Sequence, residues 1–332
     1  MVGVVLAAAC LGTTACRAAA IPEDSPQKVI ELAPPDTNEK TPVISSVAID
    51  PTGKLLAAVG DDHFVRIFDA QTGEVLHRWK SHTDWVKTSA FRPDGQRLAT
   101  SGDDHRIELW EMPSPSRPRN FSEQDQVIYK LVYSPDGKML ASAGFDDKIQ
   151  VYEAETGRLL HELAAPGVDI RALCFSPDNT RLAAAGRSGL LRIWDAGSGQ
   201  SVSDVQISSR RINALAYSSD GRSLAAGGQR RIVRLLDATS GKPIADLPER
   251  PGEVMAVCFC GPDMLASAGT DNIVHLWDLT TRQECRRLVG HTGSITTLVY
   301  YPSTESLISG SYDTTVRLWG IKSPTQGKIT QR

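Results

Sequence analysis

FVRIFD (64–69), RIELWE (106–111), KIQVYE (148–153), LLRIWD (190–195), IVRLLD (232–237), IVHLWD (273–278) and TVRLWG (315–320) are seven copies of one short segment. They recur at a period of about 40 residues, the mark of a repeat architecture. Apolar and polar residues alternate within each copy, which is the period of a half-buried β-strand. Each copy carries one large residue near its end: Phe68, Trp110, Tyr152, Trp194, Leu236, Trp277 and Trp319. Four of the chain's six tryptophans stand at this single position, a concentration that chance placement does not produce.

Upstream of each copy lie an apolar strand, a turn and a strand of small residues. The turns are DPTG (50–53), RPDG (92–95), SPDG (134–137), SPDN (176–179) and SSDG (218–221). Proline presets φ early in such a turn, and glycine or asparagine accepts the left-handed position that closes it. Downstream, Thr72-Gly73, Thr156-Gly157, Ser198-Gly199 and Ser240-Gly241 mark a second turn. The second repeat has MPSPSRP (112–118) there instead, which reads as a longer loop. No stretch of the body has the pattern of a long amphipathic helix.

Composition restricts the function classes. With 41% hydrophobic and 23% charged residues, the 332-residue chain is too apolar for disorder. The 36 Lys and Arg against 39 Asp and Glu leave a net charge of −3, which argues against bulk attraction to nucleic acid or anionic lipid. No apolar run long enough for a membrane helix follows residue 20. The first twenty residues, MVGVVLAAACLGTTACRAAA, read as a secretory signal, and Cys10 and Cys16 each follow small residues as a lipidated cysteine would. No Lys or Arg precedes that apolar run. The expected location is therefore periplasmic or membrane-anchored if the leader functions, and cytoplasmic otherwise. Cys174, Cys258, Cys260 and Cys285 have no zinc-type spacing and read as small buried hydrophobes.

The units resemble WD40 repeats, and the chain is similar to the seven-bladed β-propellers of that G-protein β-subunit-like family over about residues 28–321. The resemblance implies an all-β fold of seven four-stranded antiparallel blades around a channel. It also implies that an N-terminal strand completes the last blade. KVIELAP (28–34) resembles RLLHELAAP (158–166), the fourth strand of blade three. Lys28–Ala33 is accordingly expected to pair with Thr315–Trp319 and leave no open edge. The domain plan is a leader over 1–20, a linker over 21–27, the propeller over 28–321 and a disordered tail over 322–332.

The family's buried relay of His, Ser or Thr, Asp and Trp carries over in full to His82, Thr100, Asp104 and Trp110, and to His291, Ser309, Asp313 and Trp319. Blade six keeps Ser267, Asp271 and Trp277 with Arg250 in the His place, and blade three keeps Ser142 and Asp146 with Tyr152. Ala58, Ala184 and Ala226 replace the hydroxyl in blades one, four and five. A Ser-His-Asp set invites a catalytic role, but repetition in two blades and termination on an indole fit a structural device better. No catalytic residue, metal ligand or cofactor site is expected.

In relatives, partners dock on the narrow face, at residues near the start of each first strand and before each turn Asp. Those positions yield an aromatic sector of Trp85, Tyr129 and Phe145 and a basic one of Arg171, Arg187 and Arg211, reinforced by Arg210 and Arg230. The resulting expectation is a monomeric, non-catalytic scaffold for a protein or peptide, acidic or phosphorylated and carrying an apolar anchor. Nucleic acid is not expected as a partner, nor is membrane except through a lipid anchor. Two alternatives stand beside it: a hydrolase or lyase at the channel mouth, and a cytoplasmic regulatory module.

Overall fold

The computed structural model describes residues 21–32, 41–114 and 118–321, so the leader, the tail and Ala33 lie outside the described residues. Seven sheets succeed one another along the chain. In blade one the strands are Ile44–Ile49, Leu55–Gly60, Phe64–Asp69 and Val75–Lys80, each antiparallel to the next. Later blades open on Val86, Ile128, Ile170, Ile212, Val254 and Ile295, and the first strands neighbour one another around the whole ring.

Why the second strands are built of small residues is now plain. LLAAVG, RLAAAG and MLASAG are covered on both faces by adjacent blades, so almost every side chain is buried and the middle positions are filled mainly by Ala and Ser next to the larger residues of the third strands. The apolar core is divided among the blade interfaces. Trp110 of blade two packs with Val59, Val65 and Ile67 of blade one, for example. The turns follow the expected chemistry. Gly53 and Gly221 both have φ near 70°, and Asn179 replaces glycine at φ 65°. The carboxylate of Asp50 accepts the backbone N–H groups of Lys54 (2.8 Å) and Leu55 (2.7 Å).

Lys28–Glu31 pairs antiparallel with Thr315–Leu318, so the N-terminal strand closes blade seven. Ile30 and Leu32 are buried there, with Ile44, Ile308 and Val316. The segment expected to be a plain linker, 21–27, has a structural role of its own. Glu23–Asp24 lies parallel to Arg287–Leu288 as a fifth strand of blade six, and Asp24 pairs with Arg286 at 2.5 Å. The outer strand of a blade presents unpaired N–H and C=O groups, and a chain kept extended by Pro22 and Pro26 is suited to take them up. The Arg287 N–H donates to the Pro22 carbonyl at 2.8 Å, and the Val289 N–H donates to that of Asp24 at 2.9 Å. No helix among the described residues is long and apolar enough to cross a membrane.

Candidate functional site

One local irregularity, repeated seven times, shapes the channel mouth. In every blade the pairing of the first and second strands skips one residue just after the first strand begins: Ser45, Lys87, Tyr129, Arg171, Asn213, Met255 and Thr296. A bulge of this kind re-aims the side chain of the skipped residue. All seven line a cavity of about 370 Å³ at the end of the channel, together with Trp85, Lys130, Arg211, Glu253, Thr270 and Tyr312.

The expected aromatic and basic positions are partly united here. Trp85, Tyr129, Arg171 and Arg211 all face the cavity. The Trp85 indole N–H donates to the Ser45 hydroxyl, and the Lys87 ammonium stands 3.2 Å above the Trp85 ring. Arg171 lies over Tyr129 at 3.6 Å, a cation–π contact that covers part of that ring. Phe145 meets Tyr129 edge to face at 6.5 Å and is 45% exposed just outside the mouth. Arg187 is exposed in the turn after the second strand of blade four and does not line the cavity.

The charges are more internally balanced than the sequence suggests. Asp169, buried immediately before the first strand of blade four, binds both Arg171 and Arg211, the latter at 2.8 Å. Its backbone sits at φ 60°, a left-handed conformation uncommon outside glycine. Lys87 pairs with Asp103 at 3.1 Å. The exposed cations of the narrow face without an ion-pair partner among the described residues are therefore Arg187, Arg210 and Arg230. Inside the cavity Lys130 alone of the cations has no carboxylate. Burial among the inner strands pushes its ammonium below the ordinary lysine value.

Neither Asp169 nor Lys130 was among the residues expected at the site. Lys130 was detectable in principle. It occupies the third position of its strand, where the other six blades have Ser46, Thr88, Ala172, Ala214, Ala256 and Thr297.

The relays form as expected in blades two and seven. His82 bonds Asp104 and Thr100, both at 2.8 Å, and the Trp110 indole donates to Thr100 at 3.0 Å. His291 bonds Asp313 (2.8 Å) and Ser309 (2.7 Å), and Trp319 donates to Ser309 at 2.8 Å. Blade six is rewired: Arg250 pairs with Asp271, and His275 joins the same carboxylate at 2.9 Å. In blade three Gln124 takes the His place and donates to Ser142, while Asp146 accepts its neighbour's backbone N–H and forms no hydrogen bond with Gln124. These groups are enclosed and serve packing, not the mouth. Among the described residues no cluster of His, Cys, Asp and Glu is arranged to hold a metal.

Comparison with known proteins agrees with this architecture. Residues 105–332 match the family model described as the IFT122 first beta-propeller. Residues 73–111 match the WD domain, G-beta repeat, and residues 20–88 match the anaphase-promoting complex subunit 4 WD40 domain. A 61-residue stretch is 41% identical to the U3 snoRNP-associated protein-like EMB2271 of Arabidopsis thaliana, covering 18% of this chain and 13% of that protein. Pre-mRNA-processing factor 19 of Mus musculus is 34% identical over 70 residues, 20% of this chain and 14% of its own. The Set1 complex component swd2 of Schizosaccharomyces pombe is 37% identical over 59 residues, 18% of this chain and 16% of its own. The aligned stretches thus span less than a fifth of these relatives.

Proposed function

The chain belongs to the WD40-repeat β-propeller family, and on that premise we propose that it is a non-catalytic interaction module whose narrow face binds protein partners. The observation that carries this is the mouth itself. Seven bulged residues, one from each blade, converge on one cavity and bring Trp85 and Tyr129 together there, with Phe145 exposed beside them. Large rings supply contact area at little entropic cost and dominate interface energetics. The exposed guanidinium groups of Arg187, Arg210 and Arg230 sit on the rim of blades four and five and suit acidic or phosphorylated segments. Relatives named as a Set1 complex component and a U3 snoRNP-associated protein are consistent with work inside assemblies. Export through the 1–20 leader belongs to the same proposal and rests on sequence alone.

Affinity purification of the wild-type chain beside a Trp85→Ala, Arg187→Glu double variant tests the docking face. The expected result is a set of proteins retained by the wild type and lost by the variant, with both melting at the same temperature. Equal recovery of every partner would remove this face from consideration. N-terminal sequencing of the mature protein tests export.

A further inference from the structure

Four cations line the channel mouth, and three are already satisfied. Lys87 has Asp103, while Arg171 and Arg211 share Asp169. Lys130 has neither an ion pair nor a hydrogen bond among the described residues, although Glu253 lines the same cavity. It stands where the cavity narrows into a second one of about 60 Å³ directly below, and it lines both. At that level blades four, five and six carry only Ala172, Ala214 and Ala256, so the lysine borders space that alanines leave open. On the same wall the Nε of Arg211 is buried without a partner. A half-buried ammonium without a carboxylate, facing an open cavity, gains once an anion enters to meet it.

We propose that Lys130 is the cationic donor that pairs with the carboxylate of an aspartate or glutamate side chain that a docked protein partner inserts into the channel mouth. This rests on the narrow face being the docking face and names what that face reads. The rings of Trp85, Tyr129 and Phe145 stand along one side of the entry, so the inserted acid is flanked by apolar residues of the partner. The cavity volume admits one side chain with its flanking backbone and excludes a folded element. The expected basic sector of Arg171 and Arg211 thereby changes role: both arginines shape the wall, and Lys130 reads the charge.

The test uses two capped pentapeptides with phenylalanine on either side of a central glutamate or a central glutamine. Binding is measured by calorimetry against the wild-type chain, Lys130→Gln and Trp85→Ala. The glutamate peptide should bind the wild type at least tenfold tighter than its twin. Lys130→Gln should abolish that preference and leave the glutamine peptide within twofold of its wild-type affinity. Trp85→Ala should weaken both peptides. Equal affinity of the twins, failure of both to bind, or a preference that survives Lys130→Gln overturns the proposal. Free glutarate binding as tightly as the glutamate peptide also overturns it, because the site would then read small carboxylates. Failure of the docking face itself shows separately, as partners that the Trp85→Ala, Arg187→Glu variant retains.

Discussion

Blades seven and four solve the same mechanical problem with opposite chemistry. In each, the connection arriving from the preceding blade must be fastened to the sheet that follows. Blade seven does it inside, where His291 in that connection is held by Asp313 and Ser309 beneath Trp319, with every group buried or nearly so. Blade four has Ala184 where the hydroxyl would be, so nothing in its interior can receive such a histidine. Its tie runs along the outside instead. Arg192 forms a two-point pair with Asp204 at 2.6 and 2.7 Å and donates to the Ala164 carbonyl of the incoming chain at 2.9 Å. Blade five copies that device, with Arg234, Asp246 and the Ile207 carbonyl. One tie is enclosed and fails if any member is lost; the other is half solvated and loses little.

Blade seven carries a second duty, because Lys28–Glu31 pairs there with the last described strand and closes the ring, and the largest effect is expected at that seam. Ile30→Asp places a charge opposite Val316 in a closed apolar cluster, at a cost on the order of 3–5 kcal/mol. Thermal unfolding should show the whole ring destabilised in one transition, since the strand belongs to the last blade and the cluster reaches into the first. Normal stability in Ile30→Asp would mean that the ring does not depend on its closing strand.

Next in size is the direct contrast between the ties. Asp313→Ala strands the ring nitrogen of His291 and the Thr292 and Thr315 N–H groups, which lose their shared carboxylate. That should cost about 3 kcal/mol, as for other buried pairs broken on one side. Asp204→Ala should cost about 1 kcal/mol or less, because its carboxylate is 42% exposed. Equal losses in a denaturant titration would show that burial does not separate the two devices.

Acid should distinguish them as well. The His291 bond and the Thr292 and Thr315 donors hold the Asp313 carboxyl well below its ordinary value, despite an opposing effect of burial. Its contribution is therefore present above about pH 4 and lost as pH falls through the depressed folded value. Burial also lowers His291 from 6.5, so the unfolded chain takes up that proton first and stability starts to fall below about pH 6.5. Asp313 itself holds the His291 value up against burial, so without it the histidine costs more on acidification. The gap between wild type and Asp313→Ala should therefore hold or widen from pH 7 to about pH 4 and narrow only as pH falls further toward the depressed Asp313 value. Blade four should respond instead to salt, with the small Asp204→Ala effect shrinking further at 0.5 M NaCl, where the screening length is a few ångströms.

How much of this was legible in the sequence depends on whether the signal repeats. Seven aromatic-ended strands and the KVIELAP match established the blades and the closing strand, because each rests on a pattern present several times. The relays of blades two and seven were legible for the same reason. What escaped was local and three-dimensional. The bulge at Ser45, Lys87, Tyr129 and their counterparts leaves no mark in residue type, since any side chain can occupy it. Gln124 entered the relay at the His place as a residue type that the WD40 pattern does not call for, and His275 entered at a position outside the pattern. The neutralisation of Arg171 and Arg211 by Asp169 depends on a backbone turn at φ 60° that brings a carboxylate inward. Charge counted along the chain made that sector basic; charge counted in space sets one carboxylate against two guanidinium groups and leaves Lys130 with none.

Lys130 belongs to neither type of tie, and that gives the smallest of the expected effects the opposite sign. Relay and clamp residues stabilise the ring, so replacing them lowers the melting temperature. Lys130 is partly desolvated without a counter-charge, so Lys130→Met should raise it slightly, on the scale of about 1 kcal/mol or less. Cys174 acts in the opposite direction, but burial pushes its thiol up to about 12 and keeps it neutral at pH 7. Because the folded value of the lysine lies below its ordinary 10.5, its penalty is complete below that folded value and fades as pH rises through 10.5. The advantage of Lys130→Met should thus be largest near neutrality and vanish in alkaline buffer. A variant less stable than wild type at pH 7 would instead make Lys130 a packing residue like its neighbours in the ring.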